Sequence, residues 1–202
     1  MKIALLGSGK TGSEVLRLNP SVTVFNSKRE PSLDNLAGHD TIISFLPGPI
    51  FLKYIPLLID TKIPVITGST GFSWPDNIDD ILKENKIPWI YTHNFSLGIN
   101  IVKGMIETLS KATELFDDST FKINEIHHTR KQDAPSGTAL SFEKWLGHET
   151  EISSERIGDV VGIHELSFES TDEEITLKHT AKDRSIFARG ALWASKIVYE
   201  KE

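Results

Sequence analysis

Short apolar runs separated by polar, helix-like segments dominate the first half of the chain, and alternating apolar and polar positions dominate the second. Ile3-Ala4-Leu5-Leu6 reads as a buried strand, followed by Val22-Thr23-Val24-Phe25, Thr41-Ile42-Ile43-Ser44-Phe45, Pro64-Val65-Ile66-Thr67 and Pro88-Trp89-Ile90-Tyr91-Thr92. Runs that are apolar at consecutive positions suit parallel strands covered on both faces. Between them, Glu14, Val15, Leu16 and Leu18 have helical spacing, Phe51 to Ile59 is a helical apolar stretch that Pro56 should bend, and Asp76 to Lys86 is a short polar helix. Only about fifteen residues separate the second strand from the third, so the helix expected there is short or missing. Strands alternating with helices predict a doubly wound parallel sheet, an α/β arrangement.

The period then changes. Ile101 to Leu115 predicts a long helix with Val102, Met105, Ile106 and Leu109 on its apolar face, and Ala139 to Leu146 and Ser185 to Val198 predict two more. Thr120 to His127, Gly162 to Glu169 and Glu174 to His179 alternate as half-buried strands do. The second half is therefore expected to be an α+β unit with a mixed or antiparallel sheet, one face on a helix and the other available for association. The boundaries expected are 1–97 for the first domain and 98–187 for the second, with a final helix, 188–202, returning to the first.

The strongest local signal in the first half follows the first strand. Gly7-Ser8-Gly9-Lys10-Thr11-Gly12 supplies Gly-x-Gly-x-x-Gly between a strand and a helix, the fingerprint of a Rossmann-like dinucleotide site. Gly7 permits the tight turn, Gly9 lets the backbone approach a pyrophosphate, and Gly12 lets helix pack on strand, with the helix N-terminus facing the phosphates. The second strand ends in Asn26-Ser27-Lys28-Arg29, where an NAD site commonly places a carboxylate for the ribose. Ser27, Lys28 and Arg29 suit a 2′-phosphate, which favours NADPH or use of both NADPH and NADH; an exposed turn is the bland alternative. Gly68-Ser69-Thr70-Gly71 and Thr92-His93-Asn94-Phe95 fall at carboxyl ends of later strands, where ligands of such sheets bind.

The chemistry concentrates in Glu125-Ile126-His127-His128-Thr129-Arg130-Lys131-Gln132-Asp133-Ala134-Pro135-Ser136-Gly137-Thr138-Ala139. Here four side chains that can carry positive charge occupy five positions, 127–131, ahead of a helix start. A bound anion favours the protonated form of an imidazole. Lys131 can deliver a proton as well as charge, which Arg130 does poorly. Ser136 is placed to cap the helix, leaving N–H groups around Gly137-Thr138-Ala139 for a carboxylate. The combination suits a small, multiply charged anion that receives a proton; a solvated basic loop is the alternative. His39, His148 and His179 read as surface or structural, and His93 and His164 are given no chemistry.

Composition narrows the classes. The 202-residue chain carries a net charge of −6, which argues against wholesale nucleic-acid binding and requires any anion site to concentrate its cations locally. It has no cysteine, which excludes disulfides and Cys-ligated metals, and no His/Asp/Glu spacing suggests a metal motif. No apolar run reaches membrane-spanning length, and Met1 to Leu6 reads straight into a strand rather than a cleavable signal, so the expected location is cytoplasmic.

These motifs resemble the 4-hydroxy-tetrahydrodipicolinate reductase (dihydrodipicolinate reductase) family. The likeness rests on Glu125-x-His127-His128-x-x-Lys131-x-Asp133-Ala134-Pro135-Ser136-Gly137-Thr138-Ala139. Gly7-x-Gly9-x-x-Gly12, Gly68-Ser69-Thr70-Gly71-Phe72, Asn94-Phe95-Ser96-Leu97-Gly98-Ile99-Asn100, Arg156-x-Gly158-x-x-x-Gly162-x-His164 and Phe187-Ala188-Arg189-Gly190-Ala191 follow in family order. The resemblance implies an NADPH- or NADH-dependent oxidoreductase of lysine and diaminopimelate biosynthesis that assembles as a homotetramer through its mixed-sheet domain. It implies that His127 is proton donor and acceptor, that Lys131 is a proton donor, and that His128, Lys131, Gly137 and Thr138 bind the cyclic dicarboxylate. It also implies that Gly7 to Gly12, Gly68 to Thr70 and Thr92 to Phe95 hold the cofactor. The glycine loop is one residue shorter than in many members, Gly68-Ser69-Thr70 replaces Gly-Thr-Thr, and little chain follows Ala191. A reductase of another small imine or oxo acid, and a non-catalytic nucleotide sensor, are the competing readings; a sensor has no need of an anion site with proton donors.

Overall fold

The computed structural model describes residues 1–200. The chain divides into two compact units: Met1–Phe95 together with the closing helix form one, and Ser96–Arg184 the other. Residues 201 and 202 of the expected final helix lie outside the described residues.

In the first unit, β1 (Ile3–Leu6), β2 (Thr23–Phe25), β3 (Thr41–Ser44), β4 (Val65–Thr67) and β5 (Trp89–Tyr91) form one sheet in the order β2-β1-β3-β4-β5. Every pairing in it is parallel. Successive side chains of a strand point to opposite faces, and both faces are apolar here. Ile3 and Leu5 pack with Val15 of α1 (Lys10–Leu18) and with Ala188, Ala191 and Ala194 of the closing helix α7 (Ser185–Glu200). Ala4 and Leu6 pack with Leu36 of α2 (Leu33–Leu36), with Phe51, Ile55 and Leu58 of α3 (Gly48–Thr61), and with Ile78 of α4 (Ile78–Glu84). The sheet therefore lies between two helical layers, the doubly wound class read from the pattern. The helix between β2 and β3 is the single turn α2, as the short spacing required, while α3 runs through Pro56 and starts and ends beyond the apolar stretch that announced it.

The second unit has a four-stranded mixed sheet in the order β7-β6-β8-β9. Its strands are β6 (Thr120–His127), β7 (Glu151–Arg156), β8 (Gly162–Glu169) and β9 (Glu174–Ala181); β6 is parallel to β7 and antiparallel to β8. One face is covered by α5 (Leu97–Leu109) and α6 (Gly137–Leu146): Ile99, Val102 and Ile106, with Ala139, Phe142 and Leu146, bury Ile123 and Leu166. The predicted helix over 101–115 is corrected here. Ser96 caps it by accepting the Ile99 amide, so it starts earlier, and a 3₁₀ turn, Ser110–Glu114, follows its end. Strand β7 was not foreseen, because Glu151-Ile152-Ser153-Ser154-Glu155-Arg156 is polar and mostly exposed, as a sheet edge permits.

The closing helix can lie against the Phe95 backbone only because position 190 lacks a side chain. A Cβ built on Gly190 would stand 1.7 Å from the Phe95 carbonyl oxygen. Gly190→Ala is expected to lower stability by about 1–3 kcal/mol, an overpacking cost, read as a reduced urea midpoint; an unchanged midpoint would show that the α7 contact relaxes freely.

Candidate functional site

The covered face of the second sheet changes character along the strands. The register aligns Ile152, Ile123, Leu166 and Leu177 in one row across the four strands. Two residues further along, Ser154, Glu125, His164 and His179 form the next row, and Arg156 stands opposite His127 beyond it. A single step along the pleat thus replaces the apolar core by ionisable groups, although Glu125, His127 and His164 are 0%, 7% and 5% exposed. Polar groups so placed cost free energy unless they are paired.

They are paired. Glu125 Oε2 lies 2.5 Å from His127 Nδ1, while Oε1 accepts from Arg156 Nη2 at 3.0 Å and from the Ser136 amide at 3.2 Å. Burial pushes the Glu125 carboxyl up, but hydrogen bonds from Ser136, Ser154 and Arg156, together with His127, leave it below its ordinary value. Burial drives the His127 imidazole down, the carboxylate of Glu125 opposes this, and Lys131 and Arg156 reinforce it. The resting ring is therefore biased to the neutral form, with Nδ1 turned towards the Glu125 carboxylate.

Ser136 joins this network to a helix. Its hydroxyl accepts the Ala139 amide at 3.2 Å as N-cap of α6 and lies 3.2 Å from His164 Nε2. His164 is depressed to about 3, chiefly by burial and then by His127, so it stays neutral and Nε2 can accept the serine proton. The first-turn amides of an α-helix point out along its axis, here those of Gly137 and Thr138. The serine cap and the two positions after it thus stand where the sequence placed them.

The basic cluster is divided rather than pooled. Lys131 Nζ lies 2.8 Å from both carboxylate oxygens of Asp133. Arg130 instead turns to Asp159 at 2.7 Å, with both side chains more than 70% exposed (73% and 81%), and belongs to the surface. His128 Nε2 lies 3.1 Å from Nη2 of Arg184, a second cation that the local motif did not reveal. Glu125, Arg156, His164 and Arg184 are the residues that sequence reasoning left without a role. Strand register joins the first three, and spacing along the chain does not display it. Ligand atoms of Glu125, His127 and His164 converge within 4.8 Å, as a small cation would require; the positive charge that the carboxylate holds is the Arg156 guanidinium.

In the first unit, the expected cofactor segments all follow strands of the parallel sheet. Gly7 has φ +95°, and a Cβ on Gly12 would stand 2.0 Å from the Gly7 carbonyl oxygen, so turn and helix meet backbone to backbone. Nothing lies within 4 Å of a Cβ built on Gly9, which leaves bare backbone at the head of α1. That cradle fits a pyrophosphate. The switch point, where β2 and β3 leave β1 on opposite sides, is at the same place. Ser27 and Lys28 sit in an exposed turn in which Asn26 Oδ1 accepts the Lys28 amide, and Arg29 lies 4.8 Å from the Phe25 ring centroid. Ser69 is 1% exposed and its hydroxyl faces Ser44 at 3.3 Å, so only its backbone can serve a ligand. Phe95 likewise gives its ring to the core, edge-on to Phe45. Thr92 caps the Asn94 amide, and His93 stacks edge-on to Tyr91.

Comparison with known proteins agrees across the chain. The family model described as "Dihydrodipicolinate reductase, C-terminus" matches residues 98–202. A 4-hydroxy-tetrahydrodipicolinate reductase of Alkaliphilus oremlandii is 34% identical over 186 residues, 81% of this chain and 76% of its own. One of Bdellovibrio bacteriovorus is 34% identical over 210 residues, 97% of this chain and 89% of its own. Among solved structures, dipicolinate-bound dihydrodipicolinate reductase from Paenisporosarcina sp. TG-14 superposes with a TM-score of 0.80 at 21% identity, over 99% of this chain and 95% of that one, a likeness of fold.

His164 carries a consequence for acid stability. The unfolded chain takes up its proton near the ordinary 6.5, whereas the folded chain refuses it until about 3. The stability it contributes is complete above 6.5 and is lost as pH falls through that window. His164→Gln is expected to flatten the fall in urea midpoint over this range; parallel curves for the two proteins would contradict the buried neutral ring.

Proposed function

The chain belongs to the dihydrodipicolinate reductase family, and from that premise we propose that it reduces 4-hydroxy-tetrahydrodipicolinate to tetrahydrodipicolinate, in lysine and diaminopimelate biosynthesis in the cytoplasm. The first unit takes NADPH or NADH through Gly7, Ser8, Gly9, Lys10, Thr11 and Gly12, with Ser27 and Lys28 beside the ribose and Gly68 to Thr70 and Thr92 to Phe95 completing the site. When bound, the reduced nicotinamide supplies a hydride. The second unit takes the substrate, and its sheet, with both helices on one face, is the surface for assembly into a homotetramer.

The observation that carries this reading is the buried His127–Glu125 pair at the end of β6, beside Lys131 and the start of α6. The proposed reaction replaces a ring hydroxyl by hydrogen: a hydride and a proton enter, and water leaves. The chain's part is to hold two carboxylates and deliver the proton. Thr138 and the first-turn amides of α6 receive one carboxylate, with Gly137 leaving the approach bare. His128, with Arg184 at its Nε2, and Lys131 face the rest of the anion. A substrate carboxylate competes with Asp133 for Lys131, and its charge raises the proton affinity of His127, which rests below its ordinary value. The imidazole then gains a proton on Nε2 when the ligand arrives, and Lys131 offers a second. A positioned general acid contributes about 10²–10⁴-fold in rate.

His127→Ala and Lys131→Ala are each expected to lower turnover at least about tenfold with cofactor affinity retained. The assay follows oxidation of NADPH, and separately of NADH, with freshly generated substrate. Near-normal turnover in both variants would remove the assigned roles, and activity only on another imine or oxo acid would replace the substrate.

A further inference from the structure

Arg156 closes β7, the strand that the hydropathy pattern missed, and stands in register with His127. Its guanidinium reaches three segments of the second unit. Nη2 donates to Glu125 Oε1 at 3.0 Å and to the Asp133 carbonyl at 2.5 Å, Nε donates to the Lys131 carbonyl at 3.4 Å, and Nη1 donates to the Glu155 carbonyl at 2.7 Å. Through Glu125 it holds the carboxylate against His127 Nδ1 and so turns the ring. His127 Nε2 then lies above Gly162, where a Cβ would stand 3.1 Å from it. Through the two carbonyls it holds the loop that carries the Lys131 ammonium. A planar fork with five donors in fixed directions can do both, and an ammonium cannot.

We propose that Arg156 is a positioning residue that sets both proton-carrying side chains of the site, His127 by way of Glu125 and Lys131 by way of the backbone of its own loop. This rests on the reading of His127 and Lys131 given above. The groups around His127 that bear on its proton are Glu125 on the same strand, His164 on β8, Arg156 on β7, and Lys131 and Asp133 on the loop. Arg156 opposes protonation of His127, so its neutral replacement moves the ring's titration to higher pH.

The test compares the natural chain with Arg156→Lys and Arg156→Gln, by steady-state rates across pH and by nitrogen NMR of the imidazole rings. Both variants are expected to bind the reduced cofactor normally and to lose at least about tenfold in kcat. Arg156→Lys keeps the charge but does not restore the rate. The NMR is expected to show the His127 proton confined to Nδ1 in the natural chain and spread over both nitrogens in the variants, with the titration shifted up in Arg156→Gln. A purely structural arginine would change the urea midpoint and leave the ring's tautomer and the pH profile alone, which would overturn the proposal. If neither variant folds, Glu125→Gln cuts the guanidinium from the imidazole at nearly constant shape, and an unchanged His127 ring there would overturn it equally. Failure of the natural chain to turn over the substrate would count against the proposed function, and the ring spectra would still decide the role of Arg156.

Discussion

A carboxylate with no solvent exposure is the constraint on which the second unit is organised. Removing an ion of this size from water costs several kcal/mol even after relaxation, and the cost is offset only when its lone pairs are met by donors. Glu125 meets them with groups from three places: Arg156 from the neighbouring strand, the Ser136 amide from the loop before α6, and His127 from its own strand. That carboxylate thereby ties β6 to β7, to the 128–136 loop and to the start of α6. The same contacts turn one imidazole nitrogen to the carboxylate and the other away from it, which is the asymmetry that the proposed acid–base role needs.

The candidate sites of the two units are built by different means. In the first, the fingerprint glycines contribute bare backbone at a turn, and two positions expected to touch the cofactor, Ser69 and Phe95, turn their side chains into the core. In the second, side chains predominate, each held by another. Under the proposed function, this division lets an acidic chain of net charge −6 recognise anions. Helix and turn amides supply part of the positive potential, and the cations present are spaced by their own partners, as Lys131 is by Asp133 and Arg130 by Asp159.

Much of this was legible in the chain. The limits of β1, β6 and β8 fall where the hydropathy pattern put them, because each strand is bounded by a glycine or by an abrupt change of polarity. The start of α5 was misplaced because its first turn, Leu97-Gly98-Ile99-Asn100, reads as loop until the Ser96 cap is recognised. Strand β7 escaped because an edge strand need bury little. The site divides in the same way. His127, His128, Lys131, Gly137 and Thr138 are close in sequence and announce themselves as a motif. Arg156 and His164 come from later strands and meet Glu125 only through register, which no local window reports. Glu125 itself stood in the motif, but in an alternating strand its position reads as one more inward side chain, and only the pairing shows it to be a buried charge.

The closing helix has a bearing on how the molecule is made. Ala188, Ala191 and Ala194 complete a core whose other buried members, Ile3, Leu5, Val15, Val22, Ile43, Ile66 and Phe95, are translated before the whole of Ser96–Arg184. At about 5–20 residues per second the ribosome takes about 5–20 s to cross that stretch. During that interval this side of the parallel sheet has α1 but no α7 to cover it, so its apolar residues stay partly uncovered while the second half emerges.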